Sequence, residues 1–393
     1  MLVKFRTLRI LSSSLFIFFL ISTHAVSNVD SVKDGWETRW QTRAEIERND
    51  NVFKLSAPQK SRMVRNDSAD VVSGRFRDME SVSDVTFSSA LEVEASTKAG
   101  LFQRSLSLAG RIDFNHYFNN SKKDHVDLEL SISQKISKRG KITLRWNYVP
   151  SYFVKNFLAD VTDLTGNVSR SERVYKDGVF SEWDIAVAYR HQFPKWIVDI
   201  TGDILVGYRG KSYQDPFTGR NEKTFTGGLA FELDLTRWWS VDLSYLFEPV
   251  KSPVTPEVLI LSEFDYRIDF NNDRDFADNR AVLPVDRSHQ TQLLKVASAF
   301  KPIKNIMLYT RIEVVLKDYT SRQLIDPTHK DRNDTRTTIE FGFDYRIFSG
   351  FHLKAEYKHM TQKTNRREDP DYIGEITDYD INIVRGGIFW WFH

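Results

Sequence analysis

Few residues in this chain of 393 are spaced for covalent chemistry. A hydroxyl nucleophile needs a base within hydrogen-bond reach and a third group to orient that base. Ser288 beside His289, and His329 near Asp326 and Asp331, are the loose candidates, and adjacency in a loop does not make a nucleophile and a base. Neither G-x-S-x-G nor H-E-x-x-H occurs. The absence of cysteine excludes disulfides, thiolate metal sites and thiol nucleophiles, and is compatible with passage through an oxidising periplasm. Asp269, Asn271, Asp273 and Asp275 alternate as the oxygens of a calcium loop would. Yet Arg274 stands where glycine must allow the sharp turn, and no glutamate fills the twelfth position. A solvated polar loop is the simpler reading. No enzyme activity, cofactor or metal site is expected.

What remains is charge at a spacing of two. Arg111, Asp113, Asp127, Glu129, Asp184, Asp199, Asp242, Asp344, Glu356 and Lys358 fall on the polar side of alternating segments. So do the ten residues that best fit a selectivity filter: Arg145, Arg190, Asp203, Arg209, Glu232, Asp234, Arg311, Glu313, Arg346 and Lys354. Acids collect around 199–242 and bases around 311–358. Facing walls of opposite sign would set a transverse field across a channel and order polar solutes in it. The same residues could instead pair across strands and hold a lumen shut.

The elements that must carry these charges are long strands. Leu106, Leu108, Ile112, Phe114 and Phe118 alternate with polar residues, as do Val126, Leu128, Leu130 and Ile132, then Ile142, Leu144, Trp146 and Tyr148. Phe225–Leu235 and Ile339–Tyr345 repeat the pattern. The runs last roughly 9 to 15 residues, where a globular strand averages about 5 or 6, and such lengths suit a tilted crossing of a bilayer. Short turns at 98–103, 138–140, 193–196, 236–239, 301–305 and 348–350 take turns with longer polar segments near 57–84, 119–124, 157–172, 211–223, 251–286, 321–335 and 366–376. A soluble β-sandwich gives no reason for that alternation. Short periplasmic turns and long extracellular loops do. Hydrocarbon also forbids an open sheet edge. The expected fold is therefore an all-β, transmembrane, antiparallel up-and-down barrel over 36–393, of about 14 strands within a range of about 12 to 16, with a first strand over Trp36–Lys54. Such a barrel is wider than an eight-stranded one filled by side chains and narrower than an open porin. The segment Pro249–Asp286, stiffened by Pro253, Pro256 and Pro284, ranks first as a constriction or cap.

Composition agrees with export. Lys4, Arg6 and Arg9 precede an apolar run to Ile21, and small residues follow. This is the form of a secretory signal over 1–27, cleaved near Ala25 or Ser27, with a short periplasmic segment at 28–35. With 55 basic and 53 acidic residues the net charge is only +2, which lacks the excess that nucleic acid requires. Rings make up 13% of the chain despite a mean hydropathy of −0.43, as in barrels with aromatic girdles.

The last strand adds a resemblance. Arg385, Gly387, Trp390 and Phe392 are similar to the C-terminal assembly signal of bacterial outer-membrane β-barrels, with His393 following where such chains usually end on the aromatic. Gly386 and Gly387 would permit a bulge, since the apolar parity shifts between Ile381, Ile383 and Trp390, Phe392. Asn49, Asp50, Asn51, Val52 and Phe53 resemble an element near the start of several such barrels, some tied to polysaccharide or lipoprotein export. The resemblance implies the outer membrane of a Gram-negative-type bacterium as location, with outer-membrane lipids, periplasmic chaperones and the barrel-assembly machinery as partners. Three functions stay open: a passive or weakly selective porin-like channel for small hydrophilic solutes, the barrel of a polysaccharide or other polymer exporter, and a surface-binding or structural barrel.

Overall fold

The computed structural model describes residues 35–65, 76–98, 101, 104–159, 174–194, 197–260, 280–321, 329–365 and 378–392. The leader at 1–27, the calcium-like residues 269–275, Asp326 and His393 lie outside them.

Among the described residues sixteen strands form in chain order: β1 (Trp36–Asn49), β2 (Asp84–Thr97), β3 (Leu106–Tyr117), β4 (His125–Lys135), β5 (Gly140–Ala159), β6 (Val174–Gln192), β7 (Asp199–Tyr213), β8 (Glu222–Thr236), β9 (Trp239–Lys251), β10 (Thr255–Ile260), β11 (Arg280–Val285), β12 (His289–Ile303), β13 (Ile306–Tyr319), β14 (Asn333–Phe348), β15 (Phe351–Thr364) and β16 (Tyr379–Phe392). Fourteen of them close into one antiparallel barrel in which each strand pairs with the next along the chain, and β1 pairs with β16 to seal it. The expected strand number and closure both hold. β10 and β11 stand apart as a two-stranded sheet, so β9 pairs directly with β12. The segment read as one long polar loop thus carries a hairpin at its base.

Alternation decides the faces. Ile46, Phe87, Ile112, Leu130, Trp146, Ile185, Val206, Leu229 and Leu243 fall on one side of the sheet by register, and Ile46, Leu130 and Ile185 are among the large apolar side chains left exposed there. An exposed apolar surface all round a closed sheet is what lipid, not water, would cover. At the short-turn rim this band ends in rings. Trp238 lies 5.9 Å from Phe300, Phe348 5.0 Å from Phe351, Phe351 6.2 Å from Trp390, and Trp390 4.5 Å from Phe392, centroid to centroid. Amphipathic rings favour such an interface. Gly350 turns the β14–β15 hairpin at φ +83 and accepts a hydrogen bond from Trp391 N at 2.8 Å, fastening the last strand to that rim.

Three expectations need correction. The first strand ends at Asn49, not Lys54, because Asp50 to Lys54 turn inward. No bulge occurs at Gly386 and Gly387, since β16 keeps one register against both neighbours. The parity shift has another cause: Ile381 and Ile383 point inward and bury against Tyr379 and Met360, while Val384, Ile388 and Trp390 face out. Finally, strands run further toward the long loops than the polar segments suggested, with β5 reaching Ala159, β7 reaching Tyr213 and β14 starting at Asn333.

Candidate functional site

The β1–β2 connection is the element that shapes the interior. Asn51 is fully buried. Its Oδ1 accepts from Leu55 N at 2.8 Å, and its Nδ2 donates to Leu55 O at 2.8 Å and to Asp380 O of β16 at 3.3 Å. Asp50 in turn accepts from Asn382 N and Asn382 Nδ2, both at 2.8 Å. The Asp50 to Phe53 element is thus a clamp that ties the start of the loop to the closing strand. Asparagine suits the role because its side chain supplies both the donor and the acceptor that a tight turn leaves unmet. Past the clamp, Val52, Phe53 and Leu55 bury with Met79 and Phe153, and α1 (Ala57–Arg65) follows.

β5 receives this loop. Its register against β6 slips between Val149 and Tyr152, where Pro150 sits, and again between Phe153 and Asn156. A bulge redirects side chains that strict alternation would send outward. As a result Phe153 packs edge-on to Phe53, 6.3 Å between centroids, while Tyr152, Val154 and Phe157 reach the lumen. Lys123, from the β3–β4 connection, is buried in the seam. It donates to Phe153 O at 3.0 Å and lies over the Phe53 and Tyr152 rings. Burial, with the nearby Lys54 and Lys155 charges against the opposing Asp84, lowers its ammonium to about 7.

Inside the barrel, at the long-loop end, lies a cavity of about 670 Å³. Lys54 enters it from the clamped loop, Arg209 and Lys211 from β7, Lys317 from β13 and Arg336 from β14. Arg220 and Arg287 enter from the loops that precede β8 and β12. Against these seven cations stand three carboxylates, Glu222, Glu248 and Asp334. Arg209 meets Glu248 at 3.4 Å, Lys211 meets Glu222 at 3.9 Å, and Arg336 meets Glu313 at 3.1 Å just below. Rings hold others: Lys211 sits 4.3 Å over Phe180, Lys317 4.4 Å over Tyr319 and Arg220 4.2 Å over Phe157. A ring face steadies a cation without cancelling its charge. Lys54 makes no side-chain hydrogen bond or ion pair with any described residue. Burial and the Arg336, Lys211 and Lys358 charges push its ammonium down to about 8.

Every sequence-predicted filter residue lies on the inward parity. Arg190 grips Asp203 through Nε and Nη2 at 2.9 and 2.8 Å, with Glu232 3.9 Å away. Arg311 pairs with Glu340 at 3.0 Å and Glu313 with Arg336. Lys354 approaches Glu356 at 3.9 Å. Arg346 instead reaches Lys304 O and Asn305 Oδ1 at 3.3 Å, at the short-turn rim. Arg145 and Asp234 form no ion pair among the described residues. Of the ten, Arg209 alone lines the cavity. The bases of β13–β15 are mostly paired within their own wall, so less of the transverse charge difference faces the lumen than the residue order suggests. Lys54, Lys211, Lys317 and Arg336 were missed. Alternation places the last three once the strands are extended by a few residues, whereas nothing in the pattern marks Lys54.

The closing strand completes the belt. Arg385 bonds Glu47 of β1 at 3.0 Å through Nε and Glu356 of β15 at 3.4 Å, and Tyr309 donates to the other Glu356 oxygen at 2.9 Å. On the β1 side of the seam, Arg43 joins Glu45 of its own strand at 3.1 Å and also Asp113 of β3, which Arg111 holds at 2.7 Å. Gly387 faces Glu45, and a Cβ there would come within 2.6 Å of Glu45 Cγ.

Ser288 and His289 do not form a nucleophile and base pair. The Ser288 hydroxyl accepts from Ser252 N at 3.1 Å and donates to Ser252 O at 3.3 Å, while His289 Nδ1 lies 2.8 Å from Arg287 O. His329 is fully buried against the Tyr319 ring. No group of three potential metal ligands occurs among the described residues.

No family model matches the chain, and no curated protein matches it in sequence. Solved structures that it resembles include the outer membrane channel DcaP of Acinetobacter baumannii (8% identity, 92% of this chain and 99% of that one, TM-score 0.45). Others are OmpT of Vibrio cholerae (12%, 91% and 97%, 0.42) and an anion-selective porin from Comamonas acidovorans (8%, 91% and 99%, 0.40). At these identities and TM-scores the functional reading rests on this chain's own side chains.

Proposed function

We propose that this chain is a channel of the bacterial outer membrane that passes small hydrophilic solutes, with charged inward residues as its filter. The supporting observation is a closed sheet that is apolar outside and encloses, at its long-loop end, a charged cavity of about 670 Å³. Such a volume falls within the range of small-molecule sites, about 300–1,000 Å³. A surplus of fixed charge in a low-dielectric wall concentrates counter-ions and steers entry. The reading is non-enzymatic, since the one adjacent serine and histidine are each engaged with backbone instead of with one another. Lipids of the outer membrane and the barrel-assembly machinery are the partners this function requires.

The test is electrical. Purified, folded barrel added to a planar bilayer is expected to give discrete conductance steps. Arg311→Ala and Asp203→Ala, which free Glu340 and Arg190, are expected to shift the reversal potential under a salt gradient in opposite directions. A silent, ion-tight barrel would remove the channel, and unchanged selectivity in both variants would remove these residues from the path.

A further inference from the structure

We infer that the long-loop cavity binds a small solute bearing a phosphate or carboxylate, and that the Lys54 ammonium receives its anionic end; the channel reading supplies the solute's route in.

Three independent features converge on Lys54. The first is electrostatic, because among the described residues cations outnumber carboxylates in the cavity by seven to three. Glu248, Glu222 and Glu313 answer Arg209, Lys211 and Arg336, while Lys317 rests on the Tyr319 ring at 4.4 Å and keeps its charge.

The second is conformational. Lys54 has φ +55, in the left-handed region that long side chains rarely adopt. Glycine would occupy this position without cost. The strained residue is held by the Asn51 clamp on one side and the buried Leu55 on the other. Strain that its surroundings enforce at the wall of a cavity is a mark of function.

The third is the missing partner. No described carboxylate answers the Lys54 ammonium, which lies near Arg336, Lys211 and Lys358. Its depressed proton affinity is the same fact seen from the proton, and a bound anion would restore it. The cavity is too large for a bare ion and suits a molecule of sugar-acid size.

The experiment is calorimetric titration of the full-length barrel, folded in detergent micelles at pH 7, with glucose 6-phosphate, glucuronate, glucose and inorganic phosphate. Glucose 6-phosphate, glucuronate or both are expected to bind, with glucose at least about tenfold weaker, the scale of one charge-assisted hydrogen bond. Which acid binds identifies the anionic end. Lys54→Met is expected to weaken that binding by a similar factor and Lys54→Arg to keep it. Lys54→Gly removes the charge while relieving the backbone, and its loss of affinity at an unchanged thermal midpoint reports the ammonium alone. Binding by inorganic phosphate alone, by none of the four, or with an affinity indifferent to both Lys54→Met and Lys54→Gly would overturn the inference. Titration does not require conduction. A silent bilayer with intact binding would remove the channel and leave the site, and a conducting barrel that binds neither sugar acid would do the reverse.

Discussion

Gly387 shows how one residue without a side chain sets the chemistry around it. It faces Glu45 across the seam, and that carboxylate is 7% exposed and paired with Arg43. A methyl group at 387 would come within 2.6 Å of Glu45 Cγ and 3.0 Å of Ala44 O. The backbone oxygen cannot yield without opening the strand pair, so Glu45 must move and Arg43 lose one of its two carboxylate partners. Gly387→Ala is therefore expected to destabilise the barrel by about 1–3 kcal/mol, the usual cost of overpacking a filled site. Gly386, with only Lys354 O at 4.0 Å, is expected to tolerate alanine. The temperature at which the folded band disappears on an unheated gel, compared between the two variants, checks both. A lower midpoint for Gly386→Ala than for Gly387→Ala would contradict the assignment.

At the scale of elements the inserted loop is the least ordinary part of the molecule, and it carries a titration. Lys123 is an amine of ordinary affinity when unfolded, near 10.4, and is lowered to about 7 in the seam between loop and wall. Between those values the unfolded chain binds the proton and the folded chain does not, so stability rises with pH. Below about 7 both forms are charged and the burial penalty is fully present. The thermal midpoint in micelles is expected to climb from pH 7 to 10, and Lys123→Met to flatten that climb. An unchanged slope would mean that Lys123 is not the group. The strands around this loop were legible from period-two alternation alone, because lipid outside and charge inside impose opposite demands on neighbouring residues. Leu106 to Tyr117 and Ile142 to Tyr148 follow that rule directly. Lys54 and Lys123 do not, since they reach the cavity and the contact between loop and wall from connections whose path depends on the Asn51 clamp and the β5 bulges. Ile381 and Ile383 misled for a related reason: an apolar residue in a barrel marks the outside only where nothing apolar has been folded inside. Here Met360 and Tyr379 have been.

On the whole molecule, the β7–β9 wall differs in charge from one end of the axis to the other. The long-loop end holds the cationic cavity. Toward the short turns, β7–β9 present Asp203, Glu232, Asp234 and Asp242 inward, with Arg190 answering the first two. Asp234 and Asp242 form no ion pair among the described residues. If the lumen conducts, an anion entering from the loop side meets attraction first and repulsion last, and a cation meets the opposite order. A pore charged unequally at its ends passes current unequally in the two directions. The single-channel current is therefore expected to rectify in 0.1 M KCl, where charges act over about 10 Å, and to approach symmetry at 1 M, where the range falls to about 3 Å. Replacing both Asp234 and Asp242 by Asn removes the unpaired acids without changing side-chain volume, and is expected to reduce the rectification and raise the chloride share of the current. Rectification that survived both high salt and the double substitution would place its cause in shape instead of charge, and the axial sorting would then have no part in what the barrel passes.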